Sequence, residues 1–147
     1  MSEKEVKKIL VPVDSTKASA RAFEYALGLA KLFDAEIHLL YVAPIAGITS
    51  SDYTIHMTKK PDDSSPLKLK GSAVLAGLMQ NLPSGARVKS DILMGVPEVM
   101  ITLTAKDDES DLIVMGTSGK GAISSMISGS VSYYTIHHVE CPVLVVK

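Results

Sequence analysis

The sequence is short of cysteine and of aromatic side chains, with one cysteine, no tryptophan, two phenylalanines and five tyrosines. A lone cysteine excludes an internal disulfide. Cys141 heads the apolar run CPVLVV, which suits a buried structural thiol better than redox chemistry. An excess of charge of one sign is also lacking: 15 Lys and Arg face 16 Asp and Glu, a formal net charge of −1. Without a broad basic field, and with the lysine pairs at 7–8 and 59–60 isolated, no nucleic-acid partner is expected. No apolar run approaches the roughly 20 residues that span a bilayer. The opening Met-Ser-Glu-Lys-Glu has no apolar signal region behind it, so the chain is expected to be cytoplasmic and free of membrane. At 147 residues and 46% hydrophobic it suits one domain, 1–147, with an ordinary core and no internal repeat.

What is present is an alternation of apolar runs and helical stripes. The run KILVPV at 8–13 is apolar after Lys8, as expected of a strand buried on both faces, and Pro12 near its end predicts an incomplete ladder there. Behind it, apolar residues at 18, 22, 23, 26, 29, 30 and 33 predict a helix with Ser15 or Thr16 as its N-cap. A second strand is expected over 36–42 and a third over 87–94. Between them Leu67, Gly71, Val74, Leu75, Leu78 and Leu82 form a second helical stripe. Residues 43–65, rich in Gly, Ser, Asp and Pro, form a variable loop. Pro97 and Glu98 suit the first turn of a helix reaching about Asp107. A strand over 112–115, a helix over 130–138 and a strand over 142–146 complete the pattern. Strands alternating with helices imply an α/β fold, an open parallel sheet covered on both faces through right-handed crossovers.

In such a sheet ligands gather beyond the carboxyl ends of the strands, where the strand order reverses. Asp14, Val42, Gly95 and Gly116 all fall at those ends. Gly116 opens the stretch GTSGKGAISSMISGSVS, which carries four glycines, seven hydroxyls and one charge, Lys120. Glycine lets a bulky anion approach backbone N–H groups, and a helix N-terminus adds unpaired donors and the positive end of its dipole, so 116–132 can cradle a phosphate. The same composition equally fits a flexible Gly-Ser surface loop.

Neither the P-loop, which needs Gly-Lys-Ser/Thr where this chain has Gly121-Ala122-Ile123, nor the dinucleotide fingerprint is present. What does occur is Gly116-x2-Gly119-x9-Gly129-Ser130, the strand-end Asp14 and the closing CPVLVV. In this combination the chain resembles the universal stress protein family, specifically its ATP-binding branch, over nearly its whole length apart from 43–65. The resemblance implies a Rossmann-like five-stranded parallel sheet in the order 3-2-1-4-5 and a homodimer formed through strand 142–146. It implies a stress-response or signalling module that binds ATP, with ADP and AMP as alternatives. Asp14 would accept from the ribose hydroxyls, Pro12 and Val42 would flank or contact the adenine, and Val13 and Met115 would also belong to the nucleotide site. Gly95 would line the base pocket. Gly116, Gly119, Lys120, Gly129 and Ser130, with the amides of Val131 and Ser132, would hold the phosphates. Lys120 stands where many relatives carry arginine, a point charge in place of a bidentate fork.

Catalysis finds little support, since no Ser-His-Asp ordering is readable and a ribose-bound Asp14 is not placed as a base for water. Slow ATP hydrolysis and a partner-binding protein with an empty pocket are the alternatives to simple nucleotide binding. His38 falls in a strand, His56 in the loop and His137–His138 at a helix end, so no catalytic residue and no dedicated metal site is expected. Magnesium or manganese would ride only on the phosphates, because 116–132 contains no carboxylate.

Overall fold

The computed structural model describes residues 2–45, 61, 65–117 and 125–147, with the backbone alone for 125–130. Among these residues strands and helices alternate: β1 (Lys8–Val13), α1 (Lys17–Phe33), β2 (Glu36–Pro44), α2 (Pro66–Met79), β3 (Val88–Gly95), α3 (Pro97–Asp107), β4 (Leu112–Gly116), α4 (Ser125–His138) and β5 (Val143–Val146). The five strands form one parallel sheet in the order β3-β2-β1-β4-β5. The fold expected of the sequence is therefore the fold observed.

Alternation along the central strands sorts side chains between two cores. Ile9, Val11 and Val13 of β1 join Ile37, Leu39 and Tyr41 of β2 under Phe23 and Ala26 of α1 and Leu75 of α2. On the other face Leu10, Leu40, Leu93, Ile113 and Met115 pack against Ile101 and Ala105 of α3, with Val131 of α4 at the margin. Leu10, Ile37, Leu39, Leu40 and Ile113 are fully shielded from water. Burial on both faces explains why these strands read as continuous apolar runs.

Local signals fix the helix ends. Thr16 is the N-cap of α1 and accepts from the Ser19 amide, while Asp34 takes the left-handed conformation at the C-cap, φ 54°, and donates its N–H to the Ala30 carbonyl. Pro66 and Pro97 open α2 and α3, where a missing N–H costs nothing. At the start of the sheet the Asp111 carboxylate accepts from the amides of Lys7 and Lys8, both at 2.9 Å, and ties β1 to β4.

Three boundaries differ from expectation. β2 continues to Pro44, two residues past 42, and Leu82 of the second helical stripe lies beyond the end of α2 while still packing on its core. The larger difference is α4, which begins at Ser125 and not at 130. Gly129 reads as a helix start because glycine is a poor helix former, yet one interior glycine costs only about 1 kcal/mol, which the packing of Val131 and Val139 offsets.

Candidate functional site

The sheet order places the switch point between β1 and β4. From β1 the chain turns through α1 toward β2, and from β4 it turns through α4 toward β5. The two helices leave the same edge toward opposite faces, which opens a crevice at the carboxyl ends of the central strands.

Asp14 stands at this edge, directly after β1. Its Oδ1 accepts from the Thr16 backbone N–H at 2.8 Å and from the Thr16 hydroxyl. Among the described residues no donor reaches Oδ2. Ser19, 4% exposed, accepts from the Asp14 N–H at 3.1 Å through its hydroxyl and donates to the Asp14 carbonyl at 3.0 Å. The negative charge of Asp14 reaches Tyr41, whose phenol is pushed above its ordinary value first by burial and then by that charge.

The other wall is apolar. Val42, Met115 and Val131 share one cluster on the α3 and α4 face, and Val42 also touches the group of Val96, Val99 and Met100. Pro12 is buried in β1 opposite Leu40. Gly95 ends β3 beside Pro44, and a Cβ there would stand 2.9 Å from Met100 Cγ. Of the residues singled out in the sequence, Pro12, Asp14, Val42, Gly95, Met115 and Gly116 thus gather at one edge. Val13 does not join them through its side chain, which belongs to the core under α1.

Gly116 has a packing reason of its own. A Cβ at this position would lie 2.8 Å from the backbone carbon of Ala18 and 2.9 Å from the Ser19 nitrogen, so only glycine lets the end of β4 press against the first turn of α1. Gly119 and Lys120 lie outside the described residues, as does the side chain of Ser130, and only the backbone of Gly129 is described. With α4 starting at Ser125, the unpaired N–H groups of its first turn belong to 125–128, and the amides of Val131 and Ser132 fall inside the helix. Ser132 is buried at 8% exposure.

Thr16 and Ser19 are the residues whose part in the site sequence reasoning missed, beyond Thr16 as a cap candidate. Their spacing from Asp14 was the available signal. Also unanticipated is a cluster away from this edge: His38, 8% exposed, meets Asp91 Oδ2 through Nε2 at 2.8 Å and Asp108 Oδ2 through Nδ1. Among the described residues no group of three or more His, Cys, Asp or Glu is arranged to hold a metal ion, and no helix is long and apolar enough to cross a membrane. A cavity of about 210 Å³ opens at the opposite end of the sheet, between the end of α1 and residues 83–87.

The model of the universal stress protein family matches residues 5–147. The chain belongs to that family. It is 34% identical over 145 residues to universal stress protein MJ0531 of Methanocaldococcus jannaschii, covering 96% of this chain and 82% of the relative. UspA from Lactobacillus plantarum superposes with a TM-score of 0.77 at 28% identity, covering 99% of this chain and 100% of that one. A universal stress protein solved in complex with cAMP superposes with a TM-score of 0.74 at 21% identity, covering 98% and 99%.

Proposed function

We propose that the crevice between β1 and β4 binds an adenine nucleotide, ATP by preference, and that this universal stress protein acts as a nucleotide-dependent module in stress response or signalling. The observation that carries this is the Asp14 carboxylate, held by Thr16 at the switch point with Oδ2 open to a ligand and the apolar surface of Val42, Met115 and Val131 beside it. A ribose offers hydroxyl donors to the first and a base offers a flat apolar face to the second. Pro12 and Gly95 complete the base pocket. Residues 116–130, including Gly116, Gly119, Lys120, Gly129 and Ser130, carry the phosphates, whereas Ser132 is buried inside α4. Solved family members hold cAMP, dAMP and AMP, the last two from Archaeoglobus fulgidus and Arabidopsis thaliana, which supports the ligand class. Binding without dedicated hydrolysis is proposed because Oδ1 of Asp14 is spent on Thr16, which leaves the carboxylate suited to a ribose and not to activating water.

Calorimetry on nucleotide-free protein tests the site. Wild type takes up adenosine, AMP and ATP, and Asp14→Ala weakens all three by roughly ten- to hundredfold, the loss of a hydrogen bond to a charged group. ATP binding tighter than adenosine supports the role of 116–130, and no uptake of any of them at millimolar concentration would overturn the proposal. A homodimer through Val143–Val146 is proposed on the edge position of β5 and the exposure of Leu144, Tyr133 and Ile136. Light scattering that gave a monomer at tens of micromolar protein would refute it.

A further inference from the structure

We propose that Thr16 and Ser19 are positioning residues for the ribose. They lock Asp14 so that a single oxygen, Oδ2, is offered to the sugar, and the preference for a ribose over a sugar without 2′- and 3′-hydroxyls depends on them. The proposal rests on the nucleotide reading of the crevice and adds the part that sets its sugar selectivity.

An aspartate at the end of a strand has two side-chain torsions to fix before its carboxylate can meet a ligand at a set angle. Here both torsions and the backbone are tied. The Thr16 N–H and hydroxyl converge on Oδ1, which fixes which oxygen faces the protein. The Thr16 hydroxyl uses its proton on Asp14 and its lone pair on the Ser19 amide at 3.2 Å, so the helix cap and the carboxylate share one atom. Ser19 closes the loop from the other side, bonding both backbone groups of Asp14 and also the Thr16 carbonyl at 3.1 Å. The Ser19 backbone is in turn braced by Gly116, whose missing Cβ would have stood 2.9 Å from the Ser19 nitrogen. Asp14 is thereby referenced to both central strands of the switch point.

Two hydrogen bonds already fall on Oδ1, so the acceptor capacity left for a ligand is concentrated on Oδ2. A vicinal diol supplies two O–H donors to one small region of space, which matches that remaining capacity. A sugar lacking those hydroxyls leaves the carboxylate unanswered on its open side. Thr16 therefore does more than cap α1. A cap alone would alter helix stability and would weaken every ligand alike, whereas a positioning role makes the loss depend on the ribose hydroxyls.

The experiment uses the full chain freed of nucleotide, with adenosine and 2′,3′-dideoxyadenosine as calorimetric probes. Wild type is expected to prefer adenosine by roughly ten- to hundredfold, the effect of a hydrogen bond to a charged group. Asp14→Ala brings the ratio close to one. Thr16→Val, which keeps the shape and removes the hydroxyl, lowers the ratio mainly by weakening adenosine, and Thr16→Ser restores it. Ser19→Ala, which leaves the Thr16 cap oxygen in place, also lowers the ratio and stands in if Thr16→Val fails to fold. Equal weakening of both probes by Thr16→Val, or an unchanged ratio in both Thr16→Val and Ser19→Ala, would overturn the positioning role. Wild type that binds both probes equally well removes the sugar selectivity while nucleotide binding stands. Wild type that binds neither removes the nucleotide reading, and the positioning role with it.

Discussion

Two glycines in contact with the same helix should respond to alanine with opposite signs. At Gly116 the added carbon would stand 2.8, 2.9 and 3.0 Å from the Ala18 carbonyl carbon, the Ser19 nitrogen and Ala18 Cβ. Comfortable carbon contacts lie at roughly 3.5–4.0 Å. Two of the three neighbours are backbone, so no rotamer change relieves them, and either β4 or the first turn of α1 must move. Overpacking of this kind costs about 1–3 kcal/mol. For a chain of 147 residues each kcal/mol shifts the melting temperature by about 2–4 °C. Gly116→Ala should therefore lower Tm by about 2–12 °C.

Gly28, in the middle of α1, has nothing within 4 Å of an added Cβ. There alanine relieves only the helix cost of glycine, a gain of about 0.5–1 kcal/mol, and Tm should rise by about 1–4 °C. The assay is thermal unfolding by circular dichroism on nucleotide-free protein, because a ligand that binds only the folded state raises Tm by mass action. Amide exchange at Ser19 supplies a local readout and should speed up in Gly116→Ala. A Gly116→Ala protein that melts at or above wild type would show that β4 and the first turn of α1 have room for a methyl group between them. Equal damage from Gly28→Ala would remove the distinction on which the reasoning rests.

His38→Leu leaves two carboxylates facing an apolar side chain and should destabilise the fold by about 1.5–3 kcal/mol, read as a fall in urea midpoint with unchanged slope; a midpoint within error of wild type would show that the cluster holds nothing together. Burial, with a smaller contribution from the Asp111 charge, pushes the Cys141 thiol above its ordinary value of 9.0. The unfolded chain then ionises first, so the stability this group contributes is intact below pH 9.0 and is lost as pH rises through the folded value. Cys141→Ser should flatten the alkaline limb of a stability–pH curve, and an identical limb in the two proteins would refute the assignment.

How much of this was legible in the sequence follows from range. A strand buried on both faces announces itself locally, as β1 and β4 do, and the edge strands β3 and β5 also fell within about a residue of expectation. The strand ends, and with them Asp14, Gly95 and Gly116, followed from topology. The start of α4 was hidden because Gly129 looks like a boundary in isolation, while the contacts that carry the helix through it come from β5 and the surrounding core. The share of Gly116 in packing was invisible for the same reason, since its neighbours Ala18 and Ser19 precede it by almost a hundred residues. The His38 cluster joins positions 53 and 70 residues apart, and no local pattern marks a histidine that will find two carboxylates. Thr16 was readable as a cap, but its second bond to Asp14 depends on the chain folding back at one particular angle.

Pro12 shows how a feature that looks like a fault in a strand can shape a site. It sits in the central strand, where a residue without an N–H would ordinarily break a ladder. The Lys7 carbonyl accepts from Glu36 on the β2 side and the Lys8 carbonyl from Asp111 on the β4 side. Alternation along the strand then directs the backbone groups of Leu10 and Pro12 toward β4. On the β2 side pairing is complete, from Lys8 opposite Glu36 to Val13 opposite Tyr41. On the β4 side it holds only Ile9 opposite Leu112 and Leu10 opposite Ile113, and ends before Pro12. The donor that proline withholds is thus the one that would have tied β1 to the end of β4. The sheet stays whole where the core needs it and parts where α1 and α4 diverge, directly beneath Asp14. The incomplete ladder expected from Pro12 is therefore confined to one neighbour, and that neighbour lies across the switch point where the ligand is proposed to sit.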